Sequence, residues 1–154
     1  MNKKLFNLIA YFLKNYPHKD ELSNARLTKM IYLSDWYSAI HHEVQVTNIK
    51  WYFDNHGPFV WDIKNEVERN PEYFLIHETL NMFGGKKRLI KLKKDLTVSL
   101  TDIEEAAAKH IIQVTKDLNY DDFIKLVYST YPIATTEKYS SLNLVTKAAK
   151  YLEE

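Results

Sequence analysis

The sequence contains no cysteine. That excludes disulfides, thiol nucleophiles, iron–sulfur clusters and cysteine-ligated zinc, and it is compatible with a reducing cytoplasm. Only three glycines are present, Gly57, Gly84 and Gly85, too few for a dinucleotide fingerprint or a phosphate-cradling loop. There is no G-x-S-x-G elbow and no H-E-x-x-H helix. A charge excess is also missing. Twenty-one basic and 20 acidic side chains leave a net +1, so the whole molecule exerts no pull on nucleic acid, and direct nucleic-acid binding is not expected. No run approaches the ~20 apolar residues that cross a bilayer. Residues 3–13 look a little like a signal peptide. However, Asn7 interrupts them, and Lys14-Asn15-Tyr16-Pro17 stands where small cleavage-site residues belong. A cytoplasmic protein without a membrane span is expected.

Aromatic residues are abundant: 11 Tyr, 7 Phe and 3 Trp. Such a load is incompatible with disorder. The 154 residues suit one domain, 1–154, at the usual ~100–200 residues each. A chain of this length can bury a core without a metal or disulfide staple.

Periodicity predicts mostly helix. Leu5, Leu8, Ile9, Phe12, Leu13 and Tyr16 form one apolar stripe that Pro17 stops. Ser23 can cap a second helix over residues 24–40, apolar round most of its circumference and therefore central. Residues 44–54 have strand composition. Asn55-His56-Gly57-Pro58 reads as a turn, with Gly57 extended and Pro58 opening a third helix over 59–69. Residues 74–83 and 86–92 flank Gly84-Gly85 as a hairpin. A two-residue turn there sets Leu80 opposite Leu89 and Glu78 opposite Lys91. Thr101 and Glu104 form a capping box for a helix to about 118 with Ile103, Ala106, Ala107, His110, Ile111 and Val114 inward. Asp121 opens another, closed by Pro132. Ser140 or Ser141 caps the last, with Leu142, Val145, Ala149 and Leu152 inward. The fold class is α+β: a mostly helical single domain, about six helices around a small antiparallel sheet or β-hairpin.

Few residues suggest chemistry. His41, His42, Glu43, Asp54 and His56 are candidates for a metal-assisted hydrolase, but adjacent histidines point apart and no ligand spacing links them. They read as solvated loop residues, so no catalytic residue, metal or cofactor is expected. Residues 86–94 hold six cations in nine positions. This run reads first as an edge strand guarded by lysine, with Asp102, Glu104 and Glu105 offsetting some of its charge. A phosphate-binding edge or an acidic protein partner are the other readings. Residues 49–63 carry five aromatics, and such residues are enriched at interface hot spots. Trp51 and Phe53 are expected in the core. Tyr52, Phe59 and Trp61, with the cations Lys87, Arg88 and Lys91, are the binding candidates.

The order Leu27-Thr28-Lys29-Met30-Ile31-Tyr32-Leu33-Ser34-Asp35, then Trp51-Tyr52, then Gly57-Pro58-Phe59-Val60-Trp61-Asp62-Ile63 resembles the Panacea, or SocA-like, antitoxin domain. That family has a helix reading L-x-K-L-x-Y-x-A/S-D and a strand ending in G-P-x-V. Met30 replaces the usual leucine, a mild exchange. Tyr131-Pro132-Ile133 and Leu142-Asn143-Leu144 resemble the tail of longer members. The motif positions carried over are Leu27, Lys29, Tyr32, Asp35, Trp51, Gly57, Pro58 and Val60, in roles of fold or binding. The resemblance implies a bacterial, prophage- or phage-associated antitoxin of a type II toxin–antitoxin system. Such a protein neutralises a cognate protein toxin by direct binding. Toxins paired with this domain include alarmone-synthetase-like enzymes and small membrane-active peptides. An alternative within the family is a proteolytic adaptor that hands its toxin to a protease. Some members add a DNA-binding helix-turn-helix. Residues 1–17 read as one helix only, so autoregulation through DNA is not expected.

Overall fold

The structure, a computed structural model, describes residues 2–154; Met1 lies outside them. Helix α1 (Lys3–Asn15) leads through a 3-10 turn at Lys19–Glu21 to the long helix α2 (Asn24–His42). A tight hairpin follows, β1 (Trp51–Asp54) and β2 (Gly57–Phe59), then α3 (Asp62–Arg69). A second hairpin is β3 (Phe74–Leu80) and β4 (Lys86–Leu92). The chain ends with α4 (Asp102–Thr115), α5 (Tyr120–Ser129), the short α6 (Tyr131–Ala134), β5 (Ser141–Leu142) and α7 (Leu144–Glu153). Among the described residues there are thus seven helices with two small antiparallel sheets, ordered β2-β1-β5 and β3-β4. The mostly helical α+β class is the one expected.

Helix α2 is the axis. Ser23 Oγ accepts from the Arg26 N–H at 3.1 Å, the expected cap. At the other end Glu43 takes the left-handed conformation, with φ 60°. Thirteen of its side chains are buried, six of them polar or charged, so the helix lies inside the molecule rather than on it. Leu27, Met30, Ile31 and Tyr32 join Leu8, Ile9 and Phe12 of α1 and Trp51 of β1 in one contiguous apolar cluster. Burial of such side chains contributes about 1.5–3 kcal/mol each.

Several local expectations are corrected. Residues 44–50 are loop, not strand: the Thr47 N–H goes to buried Asp35, and the carbonyls of Thr47 and Ile49 accept from Gln45 Nε2, so these groups are taken from any ladder. Pro58 does not open a helix. It pairs with Phe53 in β2, an edge strand where its missing N–H faces no ladder. Gly57 has φ +104° rather than extended backbone, and α3 therefore starts at Asp62, not 59. In the second hairpin the pairs are Leu80↔Lys86 and Glu78↔Arg88, not Leu80 with Leu89 or Glu78 with Lys91. Asn81 sets this register: its Oδ1 accepts from the N–H groups of Phe83 and Gly85, both at 2.9 Å. The connection is thereby five residues long, and only Gly84 is left-handed.

The capping box of Thr101 and Glu104 forms as expected, but the inward face of α4 carries Glu104, Ala107, Ala108, Ile111 and Thr115. His110 is exposed and stacks on Tyr37 at 4.5 Å. Asn119 rather than Asp121 caps α5, and Pro132 sits in the first turn of α6. Asn143 rather than Ser140 or Ser141 caps α7, which buries Leu144 and Ala148. Val145, Ala149 and Leu152 face solvent, and Leu142 is buried from β5.

Gly57 follows the Asn55-His56 turn and supplies the left-handed residue that lets so short a hairpin close. A Cβ there would meet Tyr128 at 3.5 Å and Lys29 at 3.7 Å, ordinary contacts. Gly57→Ala should therefore cost only the backbone strain, about 1–2 kcal/mol. Thermal unfolding should report a melting temperature several degrees lower, with the fold retained; an unchanged melting temperature would contradict the assigned geometry.

Candidate functional site

The positions Leu27, Lys29, Tyr32, Asp35, Trp51, Gly57 and Pro58 are all buried, and Val60 is half-buried. They lie on α2, which is buried round most of its circumference, and on the hairpin β1-β2 packed against it. Tyr32 meets the Trp51 ring edge-on at 5.5 Å. Its hydroxyl shares a hydrogen bond of 2.8 Å with Thr130 Oγ1, and burial pushes its ionisation above the usual tyrosine range. Lys29 lies beside Gly57, and burial pulls its ammonium below the usual lysine value.

Asp35 is the hub. It is fully buried on α2. Its Oδ1 accepts from the Thr47 N–H at 2.8 Å. Its Oδ2 accepts from the Thr47 hydroxyl, from Trp51 Nε1 at 2.8 Å and from Gln45 Nε2 at 3.3 Å. Gln45 Nε2 also reaches the carbonyls of Thr47 and Ile49. Among the described residues no cation pairs with this carboxylate. Burial raises its pKa to about 6, although the hydrogen bonds from Thr47, Trp51 and Val46 pull the other way. A buried carboxylate so heavily hydrogen-bonded ties the 45–47 loop and the first residue of β1 to α2.

The solvent side of the same hairpin is aromatic. Tyr52 is paired directly with Phe59 across β1-β2, so their side chains share one face. The Phe59 ring meets that of Trp61 edge-on at 5.0 Å. Trp61 is 60% exposed and Tyr52 38%, with Lys64 Nζ lying 5.6 Å from the Trp61 ring centre. The structure thus brings Tyr52, Phe59 and Trp61 into one patch. Exposed Tyr139 lies by the Asn55 turn and donates its hydroxyl to Asn55 Oδ1 at 3.1 Å.

The basic candidates lie elsewhere, on the β3-β4 sheet. Arg88 pairs with Glu78 at 3.2 Å and Lys91 with Asp20 at 3.2 Å. Lys87 donates to the Asp20 carbonyl, and Lys94 pairs with Glu72 at 2.8 Å. The carboxylates that offset these cations are Glu78 of β3, Glu72 just before it and Asp20 of the 3-10 turn, not Asp102, Glu104 or Glu105 on α4. The base of the hairpin, Phe74 and Ile90, is buried, while Leu80, Met82 and Phe83 at its tip are 69, 90 and 89% exposed.

His41 and His42 end α2, both exposed, with His41 against the Tyr37 ring. Asp54 and His56 flank the hairpin turn. Among the described residues no group of three or more His, Asp or Glu side chains converges on a common point, and no helix is long and apolar enough to cross a membrane. Sequence reasoning missed the partners of Asp35, because Thr47 and Gln45 carry no pattern of their own. It also missed the apolar hairpin tip, for which Met82-Phe83 beside Gly84-Gly85 was a readable signal.

The folded Asp35 carboxyl holds its proton up to about pH 6, whereas an ordinary one releases it near 3.8. Between those values the folded state binds more protons, so Asp35 makes stability fall as the pH rises through them. Asn at this position does not titrate and turns an amide N–H towards donors, a loss of about 1–3 kcal/mol. Urea unfolding from pH 3.5 to 7.5 should give an advantage of wild type over Asp35→Asn that shrinks between pH 4 and 6 and is constant above 7. A difference independent of pH would contradict this assignment.

Compared with known proteins, the family described as antitoxin SocA-like, Panacea domain, matches residues 27–132, from the start of the Leu27 motif through the buried Asp35 hub to Pro132. No curated protein and no solved structure matches. The match covers more than half of the 154 residues, and the buried hub and the hairpin packed on it lie inside it: the chain belongs to the antitoxin SocA-like Panacea domain family.

Proposed function

We propose that this chain is an antitoxin that neutralises a cognate protein toxin by direct binding, in the cytoplasm of a bacterium or a phage-infected cell. The observation that carries the reading is the exposed patch of Tyr52, Phe59 and Trp61 mounted on a hairpin fixed from beneath by Trp51 and Asp35. Aromatic side chains on a rigid support lose little entropy on docking and dominate binding energies. Neutralisation here is occlusion: an interface of roughly 1,200–2,000 Å² laid over the toxin's active surface. The cations Lys87, Arg88 and Lys91 add electrostatic steering, which falls as salt rises. No catalytic step is required, and the chain is read as a non-enzyme without metal or cofactor. The toxin is of the alarmone-synthetase-like or the small membrane-active kind that the family is paired with.

Co-expression with the product of the adjacent open reading frame tests this reading. The neighbour should arrest growth alone and not beside this chain; a harmless neighbour, or one not rescued, would refute it. Toxin half-life with and without the chain in a protease-deficient host separates occlusion from hand-over to a protease. Trp61→Ala and Phe59→Ala should each weaken toxin binding by more than about 1 kcal/mol, roughly fivefold in Kd. Trp61→Ala should leave the melting temperature unchanged, since that ring is mostly in solvent. Retained affinity in both variants would remove the patch from the interface.

A further inference from the structure

The outer edge of β4 is only half covered. Ile90 N–H donates outward to the Leu22 carbonyl at 2.9 Å, and Ser23 bridges Leu89 in antiparallel fashion. These two residues begin a third strand, which ends at once because α2 starts at Asn24. Backbone groups alternate in direction along a strand. Since Ile90 points outward, so do Arg88 and Lys86; the Ser23–Leu89 bridge turns the Arg88 C=O towards the Asn24 N–H, while the Arg88 N–H and both groups of Lys86 have no backbone partner among the described residues. Beside this open edge runs a groove of about 1230 Å³ between the outer half of the hairpin and the start of α2, with Tyr120 on its far wall. Its lining is basic on the hairpin side, through Lys86, Lys87, Arg88 and Lys91, and apolar at the tip.

We infer that this edge receives an extended acidic segment of the partner protein as an added antiparallel strand, anchored on the Arg88 N–H and on the N–H and C=O of Lys86. Carboxylates of the incoming strand meet Lys86, Lys87 and Arg88, and its apolar residues cover Leu80 and Phe83. Charge and backbone geometry decide the class of occupant. Lysines along an edge repel the same edge of a second copy, yet favour a strand of opposite sign. A polynucleotide fits less well, because the open groups of this edge are main-chain N–H and C=O in strand register, which a polypeptide strand matches and a sugar–phosphate backbone does not. Strand addition supplies main-chain hydrogen bonds, while alternate side chains give selectivity. The inference rests on the chain's being a protein-binding antitoxin and adds a second contact to the aromatic patch, with its chemistry stated.

The test uses the intact chain and a seven-residue peptide alternating glutamate with valine and leucine. Its controls are the same peptide with lysine for glutamate, and single-stranded oligothymidine. Amide exchange followed by NMR should slow about tenfold or more at Lys86 and Arg88 with saturating acidic peptide. The affinity should drop about tenfold between 50 and 500 mM salt, and the Lys86→Glu/Arg88→Glu double variant should lose binding without a change in melting temperature. Unprotected amides, equal binding of the lysine peptide, or tighter binding of the oligonucleotide would each overturn the inference. No toxin is needed, so a negative result leaves neutralisation through the aromatic patch standing. A failed rescue experiment likewise leaves the peptide result unaffected.

Discussion

A buried carboxylate that no cation pairs with among the described residues sits on the central helix, and the placement of the hairpin above it follows from how that charge is satisfied. Isolated ionised groups are costly to bury. Asp35 meets the cost with donors rather than with a cation: Thr47 through its backbone and side chain, Trp51 through its indole, and Gln45. Each donor lies C-terminal to α2, so satisfying the charge folds residues 45–51 back over the helix. Trp51 is then fixed in two ways, by its hydrogen bond to Asp35 and by the edge-on Tyr32 ring. β1 starts at Trp51, and β2 follows after a turn that Gly57 closes. The register Tyr52↔Phe59 and the outward face of that pair follow from those constraints.

Interior and exterior consequently divide their work. The motif residues from Leu27 to Pro58 face inward and specify the scaffold. The side chains we propose as offered to a partner are Tyr52, Phe59 and Trp61 on one sheet, and the basic edge and apolar tip of the other. Exchanging these outer residues leaves the Asp35 network intact, which suits a domain type that, as the resemblance implies, is paired with unrelated toxins. The second sheet follows a different logic. Its base is held by Phe74 and Ile90 in the core, whereas its outer half is held by surface ion pairs. Such pairs contribute little stability, typically ~0–1 kcal/mol, and leave the tip free to engage.

Much of the scaffold was legible in the sequence because local chemistry specified it. Ser23 and Thr101 announced their helices by capping, and the unbroken apolar circumference of residues 24–40 announced a central helix. What could not be read depended on contacts distant in sequence. The 44–50 segment has strand composition, but Asp35, distant in sequence, takes the Thr47 N–H and the Gln45 side chain takes the carbonyls of Thr47 and Ile49. Pro58 is as much at home in an edge strand as at a helix start, and only the pairing with Phe53 decides. The hairpin register turned on Asn81, whose side chain mimics backbone acceptors and lengthens a turn that Gly84-Gly85 alone would have made shorter. On α4 the spacing identified Ala107 and Ile111 as inward, but the buried face turns towards Ala108 and Thr115 rather than Ala106, His110 and Val114, and on α7 it carries Leu144 and Ala148 rather than Val145, Ala149 and Leu152, because both helices pack against α2. Of the candidate site, the aromatic cluster was legible as a group, but its separation from the basic strand was not.

Adhesion through the face of the β1-β2 hairpin is the proposed mode of action, and the hydrogen-exchange map of the chain alone and in complex with the co-encoded toxin tests it most directly. Residues 51–61 should exchange markedly more slowly on complex formation, while the already buried α2 changes little. A complex in which residues 51–61 exchange at the same rate as in the free chain, with protection confined to other surfaces, would contradict it.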